Sequence, residues 1–292
     1  MFLLVVLSAI WGSAFMAIKI SVSTTNPITV ASLRLIIGSI FLFTYYKFRG
    51  LKENLSIKIL LFIFLIGIIG SFIPFSLISW SEQYIQSNTA GLLLSVAPIF
   101  TLFLSYFFIK VDKFLLKTFI SMLVGLLGVI FIFGFDTFIH ISSKQSENFF
   151  PKMAIIIAAL GYVVSAILAY KIKHISTIAL TTFVTISAAL ISLPFMIITE
   201  LTSPSSFNFN SFLSLLYLGL FPTAIAFVLR FHIISKAGPV FLSYVAYLIP
   251  VFAIFWGYIF LKETITQGSL IGVILILFGV SLSQRPKEQN SQ

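Results

Sequence analysis

Apolar runs about 20 residues long, separated by brief polar interruptions, make up nearly the whole chain. A helix needs roughly 20 mainly apolar residues to cross a bilayer core. Ten such runs fit the sequence, at about 2–20, 27–46, 58–82, 88–109, 115–135, 152–171, 177–199, 211–234, 239–261 and 267–284. With 59% hydrophobic and 9% charged residues among 292, and a mean hydropathy of +1.12, the chain has too few charges for a water-soluble fold, which averages about 25% charged residues. In lipid every backbone polar group must find a partner within the protein, which favours helices. The expected fold class is therefore all-α: an integral membrane protein of ten transmembrane helices. Run 1 lacks a basic leader and a small-residue cleavage site, so it reads as a retained span.

The interruptions carry turn chemistry and charge. "TTNP" at 24–27, "KFRGLKEN" at 47–54, "TSPSSFNFN" at 202–210 and "KAGP" at 236–239 mark turns. A net charge of +10 would suggest nucleic acid for a soluble protein, but here the basic residues sit between apolar runs. With a cytoplasmic N-terminus the inner loops and tail hold Lys47, Arg49, Lys52, Lys58, Lys110, Lys113, Lys117, Lys171, Lys173, Lys236, Arg285 and Lys287. The outer loops hold only Lys144, Lys152 and Lys262. The positive-inside rule then places both termini in the cytoplasm of a multi-pass protein of the cell (inner) membrane.

Four units follow: 1–135, a first five-helix repeat; 136–151, an external connecting loop with Asp136, His140, Lys144 and Glu147; 152–284, a second five-helix repeat; and 285–292, a cytoplasmic tail. The halves echo each other. "AGLLLSVAPIFTLFLSYFFIKVD" (90–112) and "LSYVAYLIPVFAIFWGYIFLKE" (242–263) both carry a mid-run proline and a terminal acid. "VGLLGVIFIFG" (124–134) matches "IGVILILFGVS" (271–281). With five spans each, the halves enter the membrane from opposite sides, as inverted repeats do in secondary transporters.

"WGSAFMAIK" (11–19), "ASLRLIIG" (31–38), "ISWSEQYIQSNTAGLLLSVAPIFT" (78–101) and "LSYVAYLIPVFAIFWGYIFLKETIT" (242–266) resemble the EamA-type members of the drug/metabolite transporter superfamily. The resemblance spans both halves. It implies a ten-helix inverted-repeat carrier, often an exporter of amino acids or other small metabolites, with a central cavity lined by runs 1, 3, 4, 6, 8 and 9. One departure is "KVDKF", where Asp112 shortens the glutamate usual at the end of the first repeat.

The residues themselves suggest a site. Gly91, Ser95, Pro98, Thr101 and Ser105 share one narrow face of run 4, and Ala158, Tyr162, Ser165 and Ala169 one face of run 6. Run 1 offers Ser8, Trp11, Gly12, Ser13 and Phe15. Small residues on a stripe equally serve close helix packing. Trp11, Trp80, Tyr162, Tyr244 and Tyr247 each join an apolar surface to one polar group, as ligand-orienting residues do; an interfacial aromatic belt is their alternative role. The expected cavity set is Trp11, Ser13, Trp80, Ser95, Tyr162, Ser165, Tyr244 and Tyr247. Pro74, Pro98, Pro222 and Pro250 should kink runs 3, 4, 8 and 9, as static bends or as hinges.

Charges inside spans are functional candidates. Lys19, Arg34 and Glu82 fall in the outer layer; Arg230 and His232 fall near the inner end of run 8. A gate pair of Glu82 with Arg34 or Lys19 is expected; a solvent-exposed Glu82 in the loop after run 3 is one alternative. A proton-coupling carboxylate is a third reading that an outer-end position without a mid-membrane relay disfavours, and snorkelling is the alternative for the cations.

No Walker motif, H-E-x-x-H or G-x-S-x-G occurs. An enzyme is therefore not expected, and cysteine is absent, which removes disulfides and thiol-based metal sites. No cofactor or metal is expected, and no nucleic acid. The expected partners are a small-molecule substrate and membrane lipids, with a homodimer open as an alternative to the monomer. The reading is a secondary exporter of a small metabolite working by alternating access; a channel-like facilitator or a non-transporting membrane partner is the alternative.

Overall fold

Two of the polar interruptions supply a side-chain cap to the next helix, and a third supplies a proline to its first turn. Asn26 precedes Pro27 at the first turn of its helix, where a missing N–H costs nothing. Ser176 Oγ accepts the Ala179 N–H, and Asn208 and Ser211 form a reciprocal capping box. The computed structural model of the chain describes residues 1–109, 116–133, 149–261 and 267–282.

In chain order the helices are α1 (Phe2–Val22), α2 (Pro27–Phe48), α3 (Ile57–Gly67), α4 (Ile73–Ser81), α5 (Ser87–Leu94), α6 (Ala97–Phe108) and α7 (Leu116–Phe133). They continue as α8 (Phe149–Lys171), α9 (Thr177–Thr202), α10 (Phe209–Leu218), α11 (Ala226–Ser243), α12 (Val245–Leu261) and α13 (Gln267–Leu282). A π-helical turn, Ile68–Phe72, joins α3 to α4, and another, Gly219–Ile225, joins α10 to α11. No strand occurs among the described residues. Among the described residues seven helical stretches are long and apolar enough to cross a membrane; Leu116–Ile132, Val245–Trp256 and Leu270–Leu282 are shorter apolar helices.

The interruptions have local causes. Pro74 offers no N–H to the Gly70 carbonyl four residues back, and Pro222 none to that of Leu218. The ladder widens locally to the π form, and both carbonyls find other donors. Thr223 Oγ1 donates to Leu218 O at 2.8 Å, and Arg230 Nη1 donates to Gly70 O at 3.5 Å. Run 4, expected as one helix, breaks at Ser95–Val96, with Pro98 in the first turn of α6. Pro250 sits inside α12.

Other boundaries differ from expectation. Run 6 starts at Phe149, so the last residues of the expected 136–151 loop are helical. Asp136, His140, Lys144 and Glu147 lie outside the described residues, as do Lys110, Asp112, Lys113, Lys262, Arg285, Lys287 and the 285–292 tail. Run 8 continues beyond 234 to Gly238, whose φ of 85° turns the chain in a single left-handed step before Pro239.

Small residues set the close approaches. A Cβ on Gly128 of α7 would lie 2.6 Å from Gly272 O of α13, and one on Gly38 of α2 would meet Thr223 Cγ2 at 2.9 Å. α2 packs on α9; α1 packs on α12 and α10, while α8 packs on α6 and α4. Phe41, Phe64, Phe103, Leu190, Phe212 and Leu277 are exposed, an outer surface suited to lipid tails. The two sets of loops are tied separately. Ser206 N–H donates to Thr24 O at 2.9 Å, and Glu200 accepts from Ser205 N–H at 2.8 Å and from Thr29 Oγ1. Elsewhere Ser176 N–H donates to Glu53 Oε1 at 3.3 Å.

Candidate functional site

The interrupted helices converge on a cavity of about 110 Å³. Helical spacing puts Trp11, Ala14, Phe15 and Ile18 of α1 on it, and Tyr162, Val163 and Ala166 of α8. Leu94 and Ala97 border it on either side of the break in run 4; Ser243 and Val245 do so on either side of the turn at Tyr244. Phe75 and Ile78 come from α4, Arg34 from α2 and Arg230 from α11.

Two arginines dominate its chemistry. Arg34 is 3% exposed and Arg230 1%. Arg34 Nε donates to Thr223 Oγ1 at 3.0 Å, and its guanidinium lies 3.7 Å from the Phe75 ring centroid. Arg230 donates to Gly70 O, to Tyr162 O at 3.3 Å and to Ser165 Oγ at 2.5 Å. Phe227, Phe231 and Tyr162 surround its guanidinium, with ring centroids at 5.3, 5.2 and 5.6 Å. Neither arginine has a carboxylate oxygen within 4.0 Å among the described residues. Tyr162 links the two, stacking on Trp11 at 6.5 Å and meeting Phe75 edge-on at 6.5 Å. Trp11 Nε1 donates to Pro222 O at 3.1 Å, so a carbonyl of the second π turn orients the indole.

Of the expected cavity residues, Trp11 and Tyr162 line the space and Ser165 stands behind it as an acceptor for Arg230. The others point elsewhere. Ser13 shares a 2.5 Å hydrogen bond with Tyr217, Trp80 packs on Tyr84, and Ser95 Oγ donates back to Leu92 O. Tyr244 shares a hydrogen bond with Ser121; Tyr247 OH donates to Met122 O at 2.9 Å, and its ring fills the space beside Gly125. Val245, Ala246 and Ile249 occupy the cavity face of α12 instead.

The charges also differ from expectation. Glu82 is fully buried, which excludes the exposed-loop alternative. Ser87 Oγ donates to its Oε2 at 3.0 Å, and Oε1 has no partner among the described residues. Lys19 Nζ reaches the carbonyls of Glu82 and Ile85, the latter at 3.1 Å, and so holds the backbone rather than the carboxylate. Arg34 turns away to Thr223 and Phe75. Arg230 lies mid-bundle, because its helix runs on to Gly238. His232 is half-buried and does not line the cavity. Phe75, Thr223 and Phe227 complete the arginine surroundings without having been singled out in the sequence.

The EamA-like transporter family matches residues 1–134 and again residues 150–284. The chain belongs to that family. It is a membrane transporter and not an enzyme. This EamA-like chain is 27% identical over 281 residues to the uncharacterized transporter YoaV of Bacillus subtilis (strain 168), covering 94% of this chain and 92% of that protein. It is 24% identical over 288 residues to the S-adenosylmethionine/S-adenosylhomocysteine transporter of Chlamydia muridarum, covering 96% and 90%. A solved crystal structure with 18% sequence identity shares the fold, with a TM-score of 0.79 over 96% of this chain and 95% of that one.

Proposed function

We propose that this EamA-like protein is a secondary exporter of a small metabolite, an amino acid or related compound, working by alternating access. The observation that carries the reading is the cavity itself: buried cations and aromatic rings at the meeting point of four interrupted runs. Broken and π-interrupted helices are tolerated in a membrane where they line a cavity, and they supply the bends about which repeats rock.

The ten-span, inverted-repeat plan is part of the proposal, with repeats at 1–135 and 152–284, an external 136–151 loop and both termini in the cytoplasm of the inner membrane. Its support lies in the packing. Exchanging each run for its counterpart five runs away maps α1 on α12 to α8 on α6, α1 on α10 to α8 on α3, and α1 on α11 to α8 on α4. The separate family matches to the two halves agree with this plan. So do the loop ties, since 24 meets 206 and 53 meets 176, and each pair falls on one side under ten spans.

Cavity residues run from Pro239, at the inner end of run 9, to Ile18, in the outer half of run 1. Lys19 bridges to the backbone after run 3 at the outer end. The conformation is therefore read as closed outside, with Lys19 as a latch. Drug-sized pockets are roughly 300–1,000 Å³, so a cavity of about 110 Å³ favours a cargo smaller than S-adenosylmethionine in this state. Cells with and without the gene should differ in resistance to, and release of, at least one small metabolite in a broad panel. Identical tolerance and identical medium composition across the panel would contradict export.

A further inference from the structure

The cavity holds more positive charge than its packing requires. Burying an ion costs several kcal/mol after relaxation, and charges within membrane spans are usually paired. Arg34 uses only Nε on a protein acceptor; its two terminal nitrogens have no hydrogen-bond partner among the described residues. Arg230 satisfies the Gly70 carbonyl freed by Pro74, but a neutral donor would do that equally well. Glu82 reaches Arg34 only at long range, and its carboxylate is engaged by Ser87. Two cations thus face one space with no contacting counter-ion among the described residues.

The rest of the lining restricts what could neutralise them. Trp11, Phe15, Phe75, Ile18 and Ile249 make the walls apolar, and the volume is small. Helices α6 and α12 begin at Ala97 and Val245 on the cavity, but α5 and α11 end beside them at Leu94 and Ser243, so the opposed helix ends offset each other and the positive charge is that of the arginines. Acceptors directed into the space are few: the Arg34 and Arg230 neighbours Thr223 and Ser165 are already engaged.

We propose that the cargo is a small organic acid whose carboxylate is taken by the free terminal nitrogens of Arg34 with Arg230 beside them, and whose apolar body lies against Trp11, Phe75 and Tyr162. A guanidinium matches a carboxylate with two parallel hydrogen bonds, and the aromatic walls accept a branched or aromatic carbon skeleton. The inference rests on the transporter reading in taking this cavity as the substrate site.

Acid–amide pairs test it: benzoate against benzamide, and isovalerate against isovaleramide, each titrated into the full-length protein in detergent and followed by Trp fluorescence and by thermal shift. The acids should bind about tenfold or more tightly than their amides, the effect of losing a charged hydrogen-bond partner. Arg34→Gln should remove that preference, with the acid losing far more affinity than the amide, and Arg34→Lys should retain part of it. Arg230→Gln should weaken acid binding with normal solubility and a monodisperse elution profile. Equal binding of acid and amide by the wild-type protein would overturn the proposal, as would an acid preference that survives both Gln substitutions. Counterflow of a metabolite that carries no carboxylate would overturn it too while leaving the transporter reading intact.

Discussion

Tyr162 and Tyr247 are both aromatic, mid-span and poor in solvent contact, yet the fold gives them different work. Tyr162 meets Arg230 directly and Arg34 through the Phe75 ring, whereas Tyr247 locks α12 to α7 through Met122 O. Alanine at 162 or at Trp11 should lower transport severalfold while membrane abundance stays near normal. Alanine at Tyr247 removes a fully buried ring, a change that costs about 3–5 kcal/mol in packed cores, so abundance and activity should fall together. Quantitative membrane blots beside transport assays separate the two cases. Depth along a span was legible in the sequence for both tyrosines; direction around the helix was not. An apolar run in lipid has weak amphipathic contrast, so its periodicity does not mark which side faces the interior. The same blindness hid Phe75, whose only signal was its place beside Pro74.

At the scale of elements, the prolines pointed to the right runs but not to the form of each interruption. Pro74 and Pro222 give π turns because nearby donors, Arg230 and Thr223, take up the freed carbonyls. Those donors come from tertiary structure or from side-chain rotation, which no local pattern encodes. The break at Ser95–Val96 and the early start of α8 were equally hidden. The motifs "VGLLGVIFIFG" and "IGVILILFGVS", legible in the sequence as a repeat, place Gly128 and Gly272 where backbones touch. Gly128→Val should force α7 from α13 and lower thermal stability by about 1–3 kcal/mol, the usual cost of overpacking. Gly91→Ala should be tolerated, because its nearest neighbour beyond the helix would lie 3.9 Å away. Size-exclusion profiles after heating in detergent would distinguish them, and equal behaviour of the two variants would contradict this packing.

Across the whole molecule, lipid as the solvent followed from composition, and family membership from motifs spread through both halves. The convergence of Arg34 and Arg230 did not follow, for they lie in different halves and at depths counted from opposite faces. Only the packing of seven runs around one space brings them together. A carrier built this way must bind its cargo at that space and carry it across one turnover at a time. Counterflow measures this whatever the cargo is. Proteoliposomes are loaded with an isotope-labelled small-molecule extract of the host cell, and exit of each species is followed by mass spectrometry. A carrier predicts that at least one labelled metabolite leaves only when protein is present, faster when the same unlabelled metabolite is outside, and slowly with Tyr162→Ala. Protein-dependent exit indifferent to the outside metabolite would mean a channel, and no protein-dependent exit of any species would contradict transport through this cavity.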